Sequence, residues 1–381
     1  MSLDKIEIMA ASTFGMEALV KKEINDLGYE ITEVKNGRIT FLGDLQAVAE
    51  ANLWLRTAER VLVKIGDFKA RDFDELYDGV KDLDWPQWLP EDAEFPVSAK
   101  SIDSQLNSVP TCQSVTKKAV VDRMKEEYGR EWFNEDGPLY PIELALYKDR
   151  AILTIDSSGT GLHKRGYREL SVTAPIQETI AAGMVYLSRW DKDRILIDPF
   201  CGSGTILIEA AMMAKNQAPG LKRKFNSEKW PIFKDFEWPR ARVEAKKAKK
   251  INVEPRLIMG YDQDPEVITI ARYHAQQAGV EDIIHFQKQE FGDFSTNRKY
   301  GYIITNPPYG ERMGEKEEVE ELYREMGEKL LELETWSYYI ITSHSKFEKL
   351  FGKEASKRRK LYNGGVETQY YQYYGPWPPK N

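Results

Sequence analysis

Cysteine is scarce in this chain, with only Cys112 and Cys201 among 381 residues. Two thiols so far apart exclude a disulfide framework and a Cys-rich zinc site, so no metal is expected, and they fit a reducing cytosol. Long apolar runs are missing too. The longest, Ile180 to Leu187, falls well short of the ~20 residues a membrane-spanning helix requires. Met1 to Ala10 alternates charged and apolar residues and lacks the apolar core of a signal peptide. The expectation is a cytoplasmic protein with no membrane partner. Repeats and low-complexity tracts are absent as well. The composition, 41% hydrophobic and 30% charged, is ordinary for a globular protein, and the length suits two or three domains.

Positive charge is lacking overall, at a net −7, but it is unevenly spread. Residues 216–256 hold twelve Lys/Arg against five acids, a local +7 that leaves −14 for the rest. Such a stretch can dock a polyanion locally or form the solvated face of a helix around Arg240–Lys250.

Hydrophobic periodicity divides the chain. Residues 1–60 read as a small α+β module: strand Lys5–Met9, helix Gly15–Leu27, strands near Ile31–Val34 and Arg38–Gly43, then helix Asp44–Leu53. A second α+β module follows over 61–160, with a long helix Cys112–Tyr128 and a hairpin turning at Lys148-Asp149. From about 161 to 381 the pattern alternates short apolar strands with amphipathic helices: Arg194–Asp198, Thr205–Ala214, Leu257–Asp262, Pro265–Ala278, Ile283–Gln287, Tyr302–Asn306, Val319–Leu333 and Ser337–Thr342. That alternation predicts a parallel, doubly wound α/β sheet of Rossmann-like class.

Four motifs fall at strand ends of this last region. Asp198-Pro199-Phe200-Cys201-Gly202-Ser203-Gly204-Thr205 is a Gly-rich strand-to-helix turn, lacking both the third glycine of a dinucleotide fingerprint and the Gly-Lys-Ser/Thr of a P-loop. Asp262-Gln263-Asp264-Pro265 ends the next strand, where a carboxylate can accept two hydrogen bonds from a ribose diol. Asp262 is preferred for that role and Asp264 as the helix start. Glu290, with Asp293 as competitor, is placed to accept from an adenine amino group. Asn306-Pro307-Pro308-Tyr309 ends the fourth strand, where consecutive prolines enforce an extended ledge. The Asn306 side-chain oxygen and the Pro307 carbonyl can then hold both hydrogens of one planar amine, while Tyr309 stacks on a base. No histidine stands nearby in sequence, and such chemistry needs no strong general base.

These residues resemble the amino-methyltransferase branch of the class I methyltransferases. The resemblance implies S-adenosylmethionine as cofactor, held by Asp198, Pro199, Phe200, Cys201, Gly202, Gly204, Thr205, Asp262, Gln263, Glu290 and Asn306. It implies catalysis by Asn306, Pro307, Pro308 and Tyr309. The segment Arg165-Gly166-Tyr167-Arg168, followed by Ala174-Pro175-Ile176-Gln177-Glu178-Thr179-Ile180-Ala181-Ala182, is similar to that of THUMP-domain RNA guanine-N2 methyltransferases of the RlmL N-terminal-half/YpsC type. So is the extended tetrapeptide ending in Gly310-Glu311-Arg312. By that likeness residues 1–60 are ferredoxin-like, 61–160 THUMP-like and 161–381 the methyltransferase domain, with ribosomal RNA as partner. His163, Lys164, Arg165 and Arg168 would then meet the RNA backbone as it approaches the site, unless they are spent on carboxylates of the fold. The competing readings are a tRNA guanine-N2 enzyme, a DNA amino-methyltransferase and a non-catalytic RNA-binding or assembly protein.

Overall fold

The computed structural model describes residues 5–170, 175–233, 237–250, 253, 257–310 and 315–379. Ala174, Glu311 and Arg312 of the quoted motifs, and Lys234 and Arg256 of the basic stretch, lie outside the described residues. The chain forms two compact units, neither of them continuous in sequence. The first contains 1–12, 20–162 and 223–245; the second contains 13–19, 163–222 and 246–381.

In chain order the elements up to residue 156 are β1 (Ile6–Ser12), α1 (Glu17–Asp26), β2 (Glu30–Lys35), β3 (Arg38–Gly43), α2 (Leu45–Trp54), β4 (Ala58–Lys69), α3 (Phe73–Lys81), β5 (Val97–Ile102), α4 (Val109–Tyr128), β6 (Ile142–Tyr147) and β7 (Arg150–Asp156). The strands make one sheet in the order β2-β3-β1-β4-β7-β6-β5. The twelve-residue β4 joins what the sequence divides into two modules: its first half pairs with β1 and its second with β7. The β6–β7 turn falls at Lys148-Asp149 as expected, both residues at positive φ.

Around Arg240–Lys250 the basic stretch is a helix with an exposed basic face, as one of the two readings has it: Arg240, Lys246, Lys247 and Lys250 are exposed. Residues 223–245 fold with the first unit, where Trp230 stacks on Tyr140 at 4.6 Å and Phe225 on Trp238 at 5.0 Å. Arg223 is buried and donates to the Gly161 carbonyl, and Arg242 donates to the Arg223 carbonyl and to Glu228. Arg223 and Arg242 are therefore structural, and Lys222 and Lys249 donate to the Gln277 and Gly279 carbonyls. Burying a guanidinium requires such partners.

The second unit continues with α5 (Glu178–Ser188), β8 (Leu196–Asp198), α6 (Thr205–Ala214), α7 (Glu237–Ala248, its last turn in this unit), β9 (Ile258–Asp262), α8 (Pro265–Ala278), β10 (Ile284–Lys288), β11 (Tyr302–Thr305), α9 (Glu315–Leu331), β12 (Ser337–Thr342), α10 (Phe347–Phe351), β13 (Lys357–Asn363) and β14 (Val366–Tyr373). The strand order is β10-β9-β8-β11-β12-β14-β13. The first five are parallel, as the alternating pattern predicts. The antiparallel hairpin β13–β14 completes the sheet and was not foreseen. Apolar side chains pack on both faces: Leu207, Ala211, Ala271 and Ile304 on one, Ile303, Tyr323, Met326 and Phe347 on the other. The chain leaves β8 toward β9 and β10 on one side and resumes at β11 on the other. The carboxyl ends of β8 and β11 therefore flank the topological switch point, where such sheets open a crevice. Among the described residues no helix is long and apolar enough to cross a membrane.

Candidate functional site

That crevice is a cavity of about 1450 Å³ within the second unit. It is lined by every site residue predicted from sequence except Gly204 and the buried Arg165. Four strand ends converge there: β8 with the Gly-rich turn, β9 with Asp262, β10 with Glu290 after it, and β11 with Asn306–Tyr309.

Glycine is required twice in the turn. Gly202 sits at φ 51° with open space where a Cβ would be, so that side of the backbone faces the cavity. Gly204 sits at φ 80°, and a Cβ there would lie 2.8 Å from the Phe286 ring. It shapes the turn from behind. Asp262 braces the turn from β9: one carboxylate oxygen accepts from the Gly202 N–H at 3.0 Å, the other from the Asp264 N–H at 3.0 Å. Burial, with the Asp264 charge adding, pushes its pKa up. Asp264 itself caps α8 by accepting from the Glu266 N–H, with Pro265 opening the helix. The choice between the two aspartates thus has a geometric basis, because Asp262 lines the cavity and Asp264 does not. Glu290 is exposed on the cavity wall, and Asp293 is not part of that wall. Phe200 stacks on Phe291 at 5.0 Å beside them.

Asp198 ends β8 fully buried. It accepts the Thr305 hydroxyl at 2.6 Å and the Phe200 N–H at 3.1 Å. Burial pushes its pKa up to about 7, with the Asp262 charge adding and the two hydrogen bonds opposing. Since Thr305 immediately precedes Asn306, this contact ties the Gly-rich turn to the tetrapeptide. From the other side, the Tyr323 hydroxyl on α9 donates to the Pro308 carbonyl at 2.7 Å and lies 2.9 Å from the Thr342 hydroxyl on β12. Neither anchor was anticipated. Asp198 lies on a strand remote in sequence from the motif, and Tyr323 on the helix that follows it.

The tetrapeptide departs from expectation in one respect. The Tyr309 hydroxyl donates back to the Asn306 side-chain oxygen, which leaves one of that oxygen's two lone pairs for another donor.

The basic cluster ahead of the site is corrected more strongly. Arg165 is 2% exposed, its Nε 3.3 Å from a carboxylate oxygen of Glu209, which is 0% exposed; the Tyr167 hydroxyl meets the same oxygen at 3.3 Å. It cannot touch an RNA phosphate. A carboxylate on the otherwise apolar helix Thr205–Ala214 needs a buried cation, and Arg165 supplies it. Arg168 lines the cavity but is committed to the Ile176 carbonyl at 2.7 Å, to the Thr205 hydroxyl at 3.2 Å and to the buried Glu178 at 3.2 Å. Lys164 remains exposed on the cavity wall, and His163 lines it half-buried. An imidazole therefore does stand on this cavity, contrary to the impression given by the local sequence. Buried His274 lies 3.4 Å from both the Leu170 amide and the Ser203 carbonyl. It joins the lead-in segment to the Gly-rich turn, and burial pushes its pKa down. Asn363, Gly364 and Val366, at the tip of the unforeseen hairpin, complete the wall.

Three family profiles match the chain: an RlmL ferredoxin-like domain over residues 7–62, a THUMP domain over 70–156, and the RMKL-like methyltransferase domain over 165–372. YpsC of Bacillus subtilis, an RNA methyltransferase by name, is 47% identical over 99% of this chain and 98% of its own length. The ribosomal RNA large subunit methyltransferase K/L of Syntrophotalea carbinolica is 34% identical over 96% of this chain, which spans about half (53%) of that protein. The crystal structure of SMU.472, a methyltransferase by name solved with S-adenosylhomocysteine, superposes with a TM-score of 0.92 at 42% identity, covering 99% of this chain and 100% of that one.

Proposed function

Because this chain belongs to the RMKL-like methyltransferase family, carrying the ferredoxin-like and THUMP domains ahead of its catalytic unit, we propose that it methylates the exocyclic N2 amine of a guanine in RNA, with 23S ribosomal RNA the foremost substrate and S-adenosylmethionine the donor. The observation that carries this reading is the convergence of Asn306–Tyr309 and the Gly-rich turn on one cavity, linked through Thr305 and Asp198. The guanine-N2 choice rests on the likeness of Arg165–Ala182 and of Asn306–Arg312 to enzymes of that specificity.

The residues present fit the donor. Gly202 leaves its cavity side open, Asp262 offers a partly buried carboxylate to a ribose diol, and Glu290 offers an exposed one to an adenine amino group. When bound, S-adenosylmethionine supplies an electrophilic methyl on sulfur. The protein's part is to hold the nucleophile. Asn306 and Pro307 present carbonyl oxygens that accept both amine hydrogens, favour a pyramidal nitrogen and stabilise its growing positive charge. Tyr309 fixes the base plane, and the anchors at Asp198 and Tyr323 hold the ledge still, so that positioning supplies much of the rate.

Removing the ribose acceptor has a defined consequence. Asp262→Ala is expected to weaken binding of S-adenosylhomocysteine by ~2 kcal/mol or more, through lost charged hydrogen bonds and a loosened Gly202 turn. Asp264→Ala should instead lower stability by ~1 kcal/mol as a lost helix cap, with affinity nearly unchanged. Calorimetry on both variants decides, and the reverse pattern would transfer the ribose role to Asp264.

The substrate is tested by nucleoside analysis of 23S rRNA and tRNA from a deletion strain. One N2-methylguanosine should vanish from 23S rRNA and return with the wild-type gene but not with an Asn306→Ala copy. A loss confined to tRNA, or a loss of methyladenosine, would refute the assignment.

A further inference from the structure

Positive charge on the second unit is concentrated on α10 and the edge strand β13. Residues 346–360 contain seven Lys/Arg (Lys346, Lys349, Lys353, Lys357, Arg358, Arg359 and Lys360) against Glu348 and Glu354, a net +5 in fifteen residues of a chain at −7. All seven except Arg359 are exposed. They run from α10 through its following loop and along β13, the edge strand of the sheet.

Lysine and arginine on an edge strand discourage pairing with other chains, and that would account for Lys357–Lys360 alone. It does not account for Lys346, Lys349 and Lys353, which lie on and beside a helix. Nor does it account for where the strand leads. Thr342, the last residue of β12, stands opposite Gln369, and Gln369 opposite Lys360. The hairpin therefore continues past the carboxyl edge of the sheet by three rungs, about 10 Å at ~3.3 Å per residue. Its two-residue turn, Gly364-Gly365, has both φ positive, the conformation of a tight type I′ turn. The tip is fixed to the cavity wall, where Asn363 accepts the Gln177 N–H at 3.1 Å, and Asn363, Gly364 and Val366 line the cavity itself. The base of the strand carries an aromatic neighbour: Arg359 donates to the Gly15 carbonyl at 2.7 Å, next to Phe14, which is 57% exposed.

We infer that this strip, from Lys349 through Lys357 to the β13–β14 tip, is the track along which a single-stranded RNA backbone reaches the cavity, with Phe14 offering a stacking face for a base beside it. The inference rests on the reading of RNA as substrate. Exposed cations along an extended strand suit a phosphate backbone, and an exposed ring beside them suits unstacked bases. Lys349, Lys353 and Lys357 carry the test because none of them touches the cavity or belongs to an ion pair identified in the structure. Arg358, Arg359 and Lys360 are left intact, since they bond Glu348, Gly15 and Glu367.

The triple variant Lys349→Gln/Lys353→Gln/Lys357→Gln and its charge-conserving counterpart Lys349→Arg/Lys353→Arg/Lys357→Arg are titrated with deproteinised 23S rRNA over a range of salt. S-adenosylhomocysteine affinity and melting temperature are measured alongside. The Gln variant is expected to bind RNA at least tenfold more weakly at about 0.1 M salt, with a log–log salt slope shallower by about 2, given ~0.7–0.9 per neutralised phosphate. Cofactor affinity and melting temperature should not move, and the Arg variant should bind as wild type does. Wild-type-like RNA binding by the Gln variant would overturn the track while leaving RNA as substrate. Equal loss in the Arg variant would overturn it too, because charge would not be the cause. If wild-type protein bound no RNA at any salt, or bound anionic phosphatidylglycerol vesicles instead, the reading of RNA as substrate would fail first and the track with it.

Discussion

Asn306→Ala is expected to lower turnover by a hundredfold or more, at least ~2.7 kcal/mol of transition-state stabilisation, while S-adenosylhomocysteine affinity stays within a few-fold. The asymmetry follows from placement. The Asn306 side chain meets Tyr309 across the ledge, whereas the Gly-rich turn is braced independently by Asp262. An alanine therefore deletes one of the two acceptors offered to the amine without disturbing the turn. Tyr309→Phe is the informative companion: it keeps the ring for stacking and removes the hydroxyl that occupies the Asn306 oxygen. Its turnover should remain within a few-fold of wild type. Single-turnover assays on RNA with both variants settle the matter, and more than about a tenth of wild-type activity in Asn306→Ala, a cost below ~1.4 kcal/mol, would rule out the two-acceptor ledge.

Arg165→Ala should be the most damaging substitution for the fold. It strands the Glu209 carboxylate inside the helix Thr205–Ala214, and removing one partner of a buried ion pair costs ~3–5 kcal/mol. For a unit of this size that corresponds to a melting temperature lower by roughly 6–20 °C. The double variant Arg165→Met/Glu209→Leu should recover most of the loss, since an apolar pair of similar volume often replaces a buried salt bridge at little cost. Differential scanning calorimetry reads both. If Arg165→Ala melted normally but bound RNA with a shallower salt slope, Arg165 would be a phosphate contact after all, and the buried pair would not exist in solution.

Much of the second unit was legible because its elements are punctuated. Helices Thr205–Ala214 and Pro265–Ala278 were read to the residue: Gly204 precedes the first, and Asp264-Pro265 and Gly279 bracket the second. The Asn-Pro-Pro-Tyr ledge was legible for the same reason, since proline dictates backbone locally. The hairpin β13–β14 was not, because an edge strand carrying Lys-Arg-Arg-Lys has the composition of a loop. Its signal, two glycines between Lys357–Asn363 and Val366–Tyr373, was present and overlooked. The fate of Arg165 depended on a partner 44 positions away, although a lone glutamate in an apolar helix announces that some cation must be buried beside it. In the basic stretch the lysines carry no such signal, and it is the buried Phe225, Trp230, Phe233 and Trp238 that decide where those residues go. The bonds from Thr305 to Asp198 and from Tyr323 to Pro308 had no local signal at all.

The discontinuity of the two units bears on how the polypeptide matures. Met16 is fully buried among Ile180, Met184, Leu361 and Tyr370, and a Cβ on Gly183 would lie 2.5 Å from its terminal methyl. The ribosome makes Tyr370 about 350 residues after Met16, which at ~5–20 residues per second is an interval of roughly 20–70 s. Throughout that interval the nascent chain carries a methionine whose set of neighbours is incomplete, Ile180 and Met184 arriving about halfway and Leu361 and Tyr370 last. The first unit meets the same delay in miniature, since its sheet is finished at Asp156 and its aromatic plug, Trp230, arrives later. Excision of 163–381 as a free-standing catalytic fragment would leave an unfilled hole where Met16 belongs.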